Sequence, residues 1–445
     1  MSEPTAAPDA TLPVDPAAAS DAPAARPGPL HAEHVALGAA MTPFAGWSMP
    51  LRYTSDLAEH HAVRTAAGLF DLSHMGEIRV RGAGAGGALD RALVGDLSAL
   101  AVGRARYTML CQPDGGILDD LVVYRTGEVD YVVVANAANV AVVLAALRAR
   151  CTGPDVDVVD ESAGTALVAV QGPAAAGILA PLVAAGDRDA VVGLRYYAGV
   201  TAGLMLPGGV PGGVPGDVPG GLPGSTPGST VTAWVARTGY TGEDGFELFV
   251  PAADAPALWA ALLEVGRPAG LVPAGLACRD SLRLEAGMPL YGHELDRTTT
   301  PHDAGLGRVV RLDKTDADGA PLDFVGRAAL AARAGSEPSR RLVGLVGLGR
   351  RAARGGYAVH VPSIDGAGPG GRAGGVPAGP GGTGLGAHVG EVTSGAPSPT
   401  LGVPVAMAYV TPEVSAEGTE LVVDVRGRAE PVRVVSLPFY RRPQA

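Results

Sequence analysis

The stretch Cys111–Arg125, CQPDGGILDDLVVYR, decides how this chain is built. Pro113, Asp114, Gly115 and Gly116 are turn residues between two apolar runs, ARYTML before them and ILDDLVVYR after. That spacing predicts an antiparallel hairpin. Two adjacent acids, Asp119 and Asp120, open its second strand. Side chains of a strand alternate between faces, so one carboxylate goes to each side and one of the two must look into a core or a cleft. Spacing leaves open which of the two does so, and whether either is more than a solvated or capping turn acid.

Working outward, strand-like runs GEIRV (76–80), YVVVAN (131–136), ALVAVQG (166–172) and FELFV (246–250) are mixed with helical patterns DLAEHHAVRTAAG (56–68) and PALWAALLEVG (256–266). Strands, hairpins and helices in this mixture predict α+β domains. After Arg340 the pattern becomes β-rich without clear helices (RLVGLVGL, VAMAYV, TELVVDV, PVRVVSL), which predicts a β-barrel or sandwich. The length of 445 residues calls for two or three domains. The expected divisions are a disordered Ala/Pro-rich tail over 1–29, a main region over 30–335 and a C-terminal domain over 336–445. Two Pro/Gly tracts, 206–230 and 365–388, are read as expanded surface loops, because loop-closure cost grows slowly with length.

Composition excludes several functions. The formal charge of −11 disfavours a general nucleic-acid binder. Cys111, Cys151 and Cys278 are too few and too far apart for a disulfide framework or a CxxC site, which points to a reducing, cytoplasmic compartment. His60, His61, His74, His293 and His302 form no H-x-x-x-H or H-E-x-x-H pattern, so no metal is expected. The greasy run 131–147 is broken by Asn136 and Asn139 and reads as strand, turn and helix rather than a membrane span. Gly82, Gly84 and Gly87 fit G-x-G-x-x-G, but in a chain with 65 glycines a plain turn is the better reading.

Two further clusters carry chemistry. In RTGYTGEDGFELFV (237–250), Gly239, Gly242 and Gly245 keep the backbone close to something, while Tyr240 and Glu247 supply an aromatic face and an acceptor. In GLACRDSLRLEAGMPLYGHELD (275–296), Arg279 and Asp280 open an amphipathic helix, and Arg283 with Glu285 reads as an ordinary solvated pair.

These clusters, in this order, resemble the aminomethyltransferase (T protein) family of the glycine cleavage system. The similarity begins at PLHAEHVALGAAMTPFAGWSMPLRY (29–53) and runs through AEHHAVRTAAGLFDLSHMGE, ILDDLVVYR, VAVQGP, RTGYTGEDGFE and TTTPHDAGLGRVV to TSGAPSPTLGVPVAMAYV (393–410). It implies a three-lobed folate-binding fold, with two ferredoxin-like α+β lobes and a C-terminal β-barrel. It implies transfer of an aminomethyl carbon from the lipoyl arm of H protein to tetrahydrofolate with release of ammonia, without nucleic acid, membrane or metal. By motif, Asp120 matches the aspartate beside the reactive folate nitrogen, and Glu247 the acceptor for the pterin N–H groups. Tyr197 and Tyr240 match pocket aromatics, Asn136 and Met75 pocket-lining positions, and Arg279, Tyr409 and Arg441 positions that hold the folate or its glutamate tail. Related folate modules end sarcosine- and dimethylglycine-demethylating flavoenzymes, but there is no room here for their dinucleotide domain. Iron–sulfur maturation relatives carry K-G-C-Y where this chain has RTGYTGED. A non-catalytic folate-binding or regulatory protein of the same fold is the alternative from another class. Arg340, Arg341, Arg350, Arg351 and Arg354 gather positive charge that suits either an acidic carrier or a solvated loop.

Overall fold

The structure, a computed structural model, describes residues 25–206, 230–316, 318–363 and 384–443. The hairpin around Pro113–Gly116 forms: Ala105–Cys111 pairs antiparallel with Ile117–Gly127, setting Met109 opposite Asp120 and Leu110 opposite Asp119. Asp130–Ala135, Gly76–Arg81 and Asp157–Asp160 extend it into a five-stranded sheet. Helices Ala85–Ala92 and Val140–Arg150 fill its two crossovers. Without the edge strand Ala105–Cys111 this is the βαββαβ order of a ferredoxin-like sheet. Alternation sorts the faces. Ile78, Val80, Leu121 and Val123 pack under the helices, whereas Val122 and Tyr124 point the other way.

A second sheet repeats the plan. Thr165–Gln171, Thr230–Ala236 and Gly245–Pro251 take ferredoxin-like positions, with helices Ala175–Leu179 and Ala255–Gly266. The place beside Thr165–Gln171 is filled by Ala67–Asp71, a strand that precedes the whole first lobe. The chain therefore leaves the second lobe after Asp71, builds the first, and returns at Thr165. The two open sheets face each other across a shared core of Phe70, Leu167, Ala236 and Phe249 on one side and Tyr124 and Val134 on the other.

Six antiparallel strands between Arg341 and Val435 close into a barrel around Val343, Leu345, Val359, Val392, Leu421 and Val434. Barrel rather than sandwich is what closure decides, since Arg341–Gly347 pairs with both Pro404–Val410 and Ala429–Val435.

The Pro/Gly tract 206–230 joins Gly199–Met205 to Thr230–Ala236, which pair with Met205 opposite Thr230, so it connects the two arms of a hairpin. Residues 207–229 of it lie outside the described residues, as do residues 1–24 of the expected tail and 364–383 of the second tract. The ends of those segments are placed. Arg26–Pro27 pairs with Trp47–Ser48, and the Arg26 guanidinium lies 3.7 Å over the Trp47 ring, so the expected tail is ordered in its last residues. At the other tract, Leu385 already begins the long barrel strand Leu385–Pro397. The glycine-rich turn before helix Ala85–Ala92 gives its Gly84 N–H to the Asp155 carbonyl at 3.2 Å, a protein partner where a phosphate loop would keep its amides free. Residues 131–147 divide into strand, a short 3-10 turn over Ala137–Asn139 and helix. Among the described residues no helix is long and apolar enough to cross a membrane.

Candidate functional site

Asp119 and Asp120 leave their strand on opposite faces, as alternation requires. Asp119, fully buried, turns to the helical side and ties down the start of helix Val140–Arg150. It accepts from the Asn136 backbone N–H (3.0 Å), the Asn136 amide (2.9 Å) and the Asn139 amide (2.7 Å). Asp120 turns to the space between the sheets. There it accepts from the Tyr107 hydroxyl (3.0 Å) on Oδ2 and from the Asn136 amide (2.8 Å) on Oδ1. Burial pushes the Asp120 carboxyl up to about 6 against the pull of those two hydrogen bonds, with the Glu294 charge adding to the rise. Asp119 is raised to about 7 by burial and by the Asp120 charge. Among the described residues neither carboxylate meets a cation; their partners are the neutral Tyr107, Asn136 and Asn139.

On the facing sheet, Glu247 receives the Tyr124 hydroxyl at 3.1 Å and the Thr238 hydroxyl, both on Oε2. Its Oε1 accepts no hydrogen bond among the described residues. Tyr124 comes from the first lobe and Glu247 from the second, so this bond ties the sheets together. Of the three glycines of RTGYTGEDG, Gly242 has a left-handed backbone, φ +80°, whereas Gly239 and Gly245 are explained by Gln171, which is 1% exposed and runs through the turn. A Cβ at Gly239 would stand 2.1 Å from its Oε1, and one at Gly245 2.4 Å from its Nε2. Gln171 in turn donates to the Thr238 carbonyl (3.0 Å) and accepts from Thr241 (2.9 Å), which fixes the segment carrying Thr238 and Tyr240.

The remaining expected residues divide. Arg279 lies 4.7 Å from the Tyr240 ring, half-buried, without a hydrogen bond or ion pair among the described residues. Burial holds its pKa below the ordinary guanidinium value. The Tyr240 hydroxyl donates to the Pro289 carbonyl. Tyr197 has a left-handed backbone, φ +59°, an arrangement costly for a bulky side chain. It is held there by bonds to both lobes, its N–H to the Arg237 carbonyl and its carbonyl from the Ala105 N–H, each 3.0 Å. Tyr197 and Met75 line the shared core beside Tyr124. Tyr409 stands apart on the barrel, donating to the Glu294 carbonyl at 2.8 Å beneath the Arg340 guanidinium at 4.4 Å. Arg441 is exposed and makes no hydrogen bond or ion pair among the described residues; its neighbours Tyr440 and Arg442 are the ones that engage, against Arg64 (4.1 Å) and Asp244 (3.4 Å).

Arg283 and Glu285 are not a solvated pair. Helix Leu276–Glu285 buries both, because its far side is covered by the barrel, and they point to different partners. Arg283, 1% exposed, pairs with Glu294 at 2.9 Å and with Asp280 at 2.7 Å. Glu285 accepts from Arg64 (2.9 Å), His60 (3.1 Å), Ser398 (2.5 Å) and Thr400 (2.7 Å). Although burial opposes it, hydrogen bonds from His60, Ser398 and Thr400 hold this carboxyl below the usual range. His60, which the sequence left without a role, is the centre of this joint. Of the arginine cluster, Arg341 pairs with Glu337 (3.1 Å), Arg351 with Glu430 (2.6 Å), and Arg340 covers Tyr409; Arg350 and Arg354 are exposed.

Sequence reading missed Tyr107, Tyr124, Thr238 and Glu294. Tyr107 was within reach: once the hairpin register sets Met109 opposite Asp120, Tyr107 is the diagonal neighbour on the same face. The others depend on contacts between lobes. A surface groove of about 680 Å³ lies elsewhere along Arg79, Arg81 and Asp157, where the guanidiniums are already paired. Among the described residues no group of three or more His, Cys, Asp or Glu is poised to hold a metal ion.

Comparison with known proteins gives the family and the fold. Residues 30–202 and 226–314 match the model of the GCVT N-terminal domain, and residues 340–441 that of the glycine cleavage T-protein C-terminal barrel domain. The aminomethyltransferase of Streptomyces avermitilis is 55% identical over 93% of this chain and 97% of its own. That of Saccharopolyspora erythraea is 54% identical over 94% and 98%. The crystal structure of glycine cleavage system aminomethyltransferase T from Bartonella henselae superposes with a TM-score of 0.74 at 33% identity, covering 94% of this chain and 99% of that one. This chain belongs to the glycine cleavage T-protein family of aminomethyltransferases.

Proposed function

We propose that this enzyme transfers the methylene carbon of an aminomethyl group, carried on the lipoyl arm of H protein, to tetrahydrofolate with release of ammonia. The observation that carries the reading is Asp120: a carboxylate turned into the space between two lobes and held only by neutral donors, Tyr107 and Asn136. A folate nitrogen attacking the methylene carbon gains positive charge and sheds a proton. An anion beside it stabilises that charge, and one whose pKa is raised to about 6 is both ionised at neutral pH and basic enough to take the proton. Both roles need the ionised form, so turnover falls as pH drops through about 6.

Glu247, with Oε1 unused, suits the adjacent N–H groups of a pterin, a planar donor pair that a carboxylate accepts well. Arg279, lacking an anionic partner among the described residues, suits the carboxylates of the folate tail. Tyr197, Tyr240 and Met75 supply apolar walls, Asn136 holds the Asp120 carboxylate, and Tyr409 and Arg441 belong to the barrel side of the same reading. Curated relatives at this identity carry an enzyme's name, which sets aside the non-catalytic folate-binding alternative.

The test is a coupled assay with lipoylated H protein, glycine decarboxylase and tetrahydrofolate, reading methylene-tetrahydrofolate. Asp120→Asn lowers turnover by about two orders of magnitude, the range for losing a positioned base, with folate affinity preserved. Unchanged turnover removes Asp120 from the mechanism.

A further inference from the structure

A second buried carboxylate has no place in that chemistry. Glu77 lies on strand Gly76–Arg81, where Ile78 and Val80 face the helices, so Glu77 and Arg79 face the second lobe. It is 2% exposed, and neither carboxylate oxygen has a hydrogen-bond partner among the described residues. An unpaired buried carboxylate is costly, so such a group holds its proton unless a cation enters beside it. Glu77 lines a cavity of about 240 Å³ whose walls include Val132, Phe249 and Trp234 and whose rim includes the exposed Thr201 and Thr232. The Trp234 Nε1–H is also buried without a partner among the described residues.

Charge and size define what fits. The groups facing Glu77 are Asp160 and Glu161 beside its strand, Asp71 from the second lobe, and Arg79 on its own strand. Arg79 is already matched by Asp130 (2.5 Å) and Glu161 (2.9 Å), and Asp71 by His34 (2.8 Å). The second lobe contributes only uncharged side chains to the lining, Thr165, Thr201, Thr232 and Trp234 among them. Carboxylates thus outnumber cations, and an anion is disfavoured. The volume of about 240 Å³ is roughly that of eight water molecules and below the usual range of drug-sized sites, so a nucleotide or folate does not fit. Aromatic faces beside a carboxylate are the surroundings that favour an ammonium over a bare metal ion.

We propose that this cavity binds a small primary ammonium ion, with Glu77 as its counter-ion and the Trp234 and Phe249 rings as its walls. The site is built from residues that the transfer chemistry does not use, and it stands independently of that reading. Burial and the nearby carboxylates hold the Glu77 carboxyl well above its ordinary value, so an entering cation displaces a proton. Affinity therefore rises with pH across the range between the ordinary and the raised value.

Titrating the full chain with methylammonium chloride against sodium chloride at constant ionic strength, followed by tryptophan fluorescence and Tm, tests this. The expected result is a saturable response that strengthens with pH and is at least tenfold weaker in Glu77→Gln. Thr232→Tyr, which fills the rim from an exposed position, removes the response without touching the buried carboxylate. An equal response to potassium or sodium, or one unchanged in both variants, overturns the proposal.

Discussion

The joint between helix Leu276–Glu285 and the barrel, and the space between the two open sheets, hold carboxylates in opposite ways, fully buried in the first and half-buried in the second. At the joint Glu285 meets Arg64 and Glu294 meets Arg283, each at 2.9 Å. Between the sheets Asp120 and Glu247 meet only hydroxyls and an amide. Paired charges hold the joint in one geometry and leave nothing for a ligand. Carboxylates without a counter-charge keep acceptor capacity, and Asp120 has the raised pKa that follows from burial. One region locks the lobes to the barrel; the other leaves its carboxylates with neutral donors, as the proposed folate site requires.

That contrast can be broken most forcefully at Arg283. Arg283→Met leaves Glu294 buried without its cation, which costs ~3–5 kcal/mol of folding stability by denaturant titration. A loss under about 1 kcal/mol means the pair is solvated after all.

Asp120→Asn should move stability the other way. The folded carboxyl titrates at about 6 and its unfolded value is near 3.9, so the native state holds a proton that the unfolded chain has lost. Wild-type stability therefore declines as pH rises through that window and levels off above it. Removing the group removes the decline. The variant gains ~1–3 kcal/mol at pH 8 and nothing at about pH 3.5, where both forms of the wild-type residue are protonated. A gain that does not depend on pH points to packing instead.

The smallest effect is expected at Glu247→Gln, which keeps an acceptor for Tyr124 and Thr238 and so leaves the fold intact. Replacing a charge-assisted bond by a neutral one weakens tetrahydrofolate binding about tenfold in a fluorescence titration. Unaltered affinity shows that the pterin does not use Glu247.

Much of the fold was legible because its signals are local. The PDGG turn, the alternation in ILDDLVVYR, and the interruption of the greasy run at Asn136 and Asn139 each act within a few residues. The site was legible only in part. Asp120 and Glu247 were singled out, and Tyr107 follows from the hairpin register. Tyr124 and Thr238 reach Glu247 from sequence separations of 123 and 9 residues, and the 123-residue partner has no local signature. Arg283 and Glu285 were misread because amphipathicity describes one helix, whereas Ser394 and Ser398, which meet them from the barrel domain, lie more than a hundred residues later.

By itself the sequence determined the hairpin, the α+β and β-rich regions and the carboxylate pair split across a strand, since backbone pleat and turn chemistry are properties of neighbouring residues. Only the tertiary structure decided the rest. Which face of each sheet becomes a cleft, which buried acids gain an arginine, and which stay unpaired depend on segments brought together from distant parts of the chain. Burial and counter-charge, unlike periodicity, exist only once those segments meet.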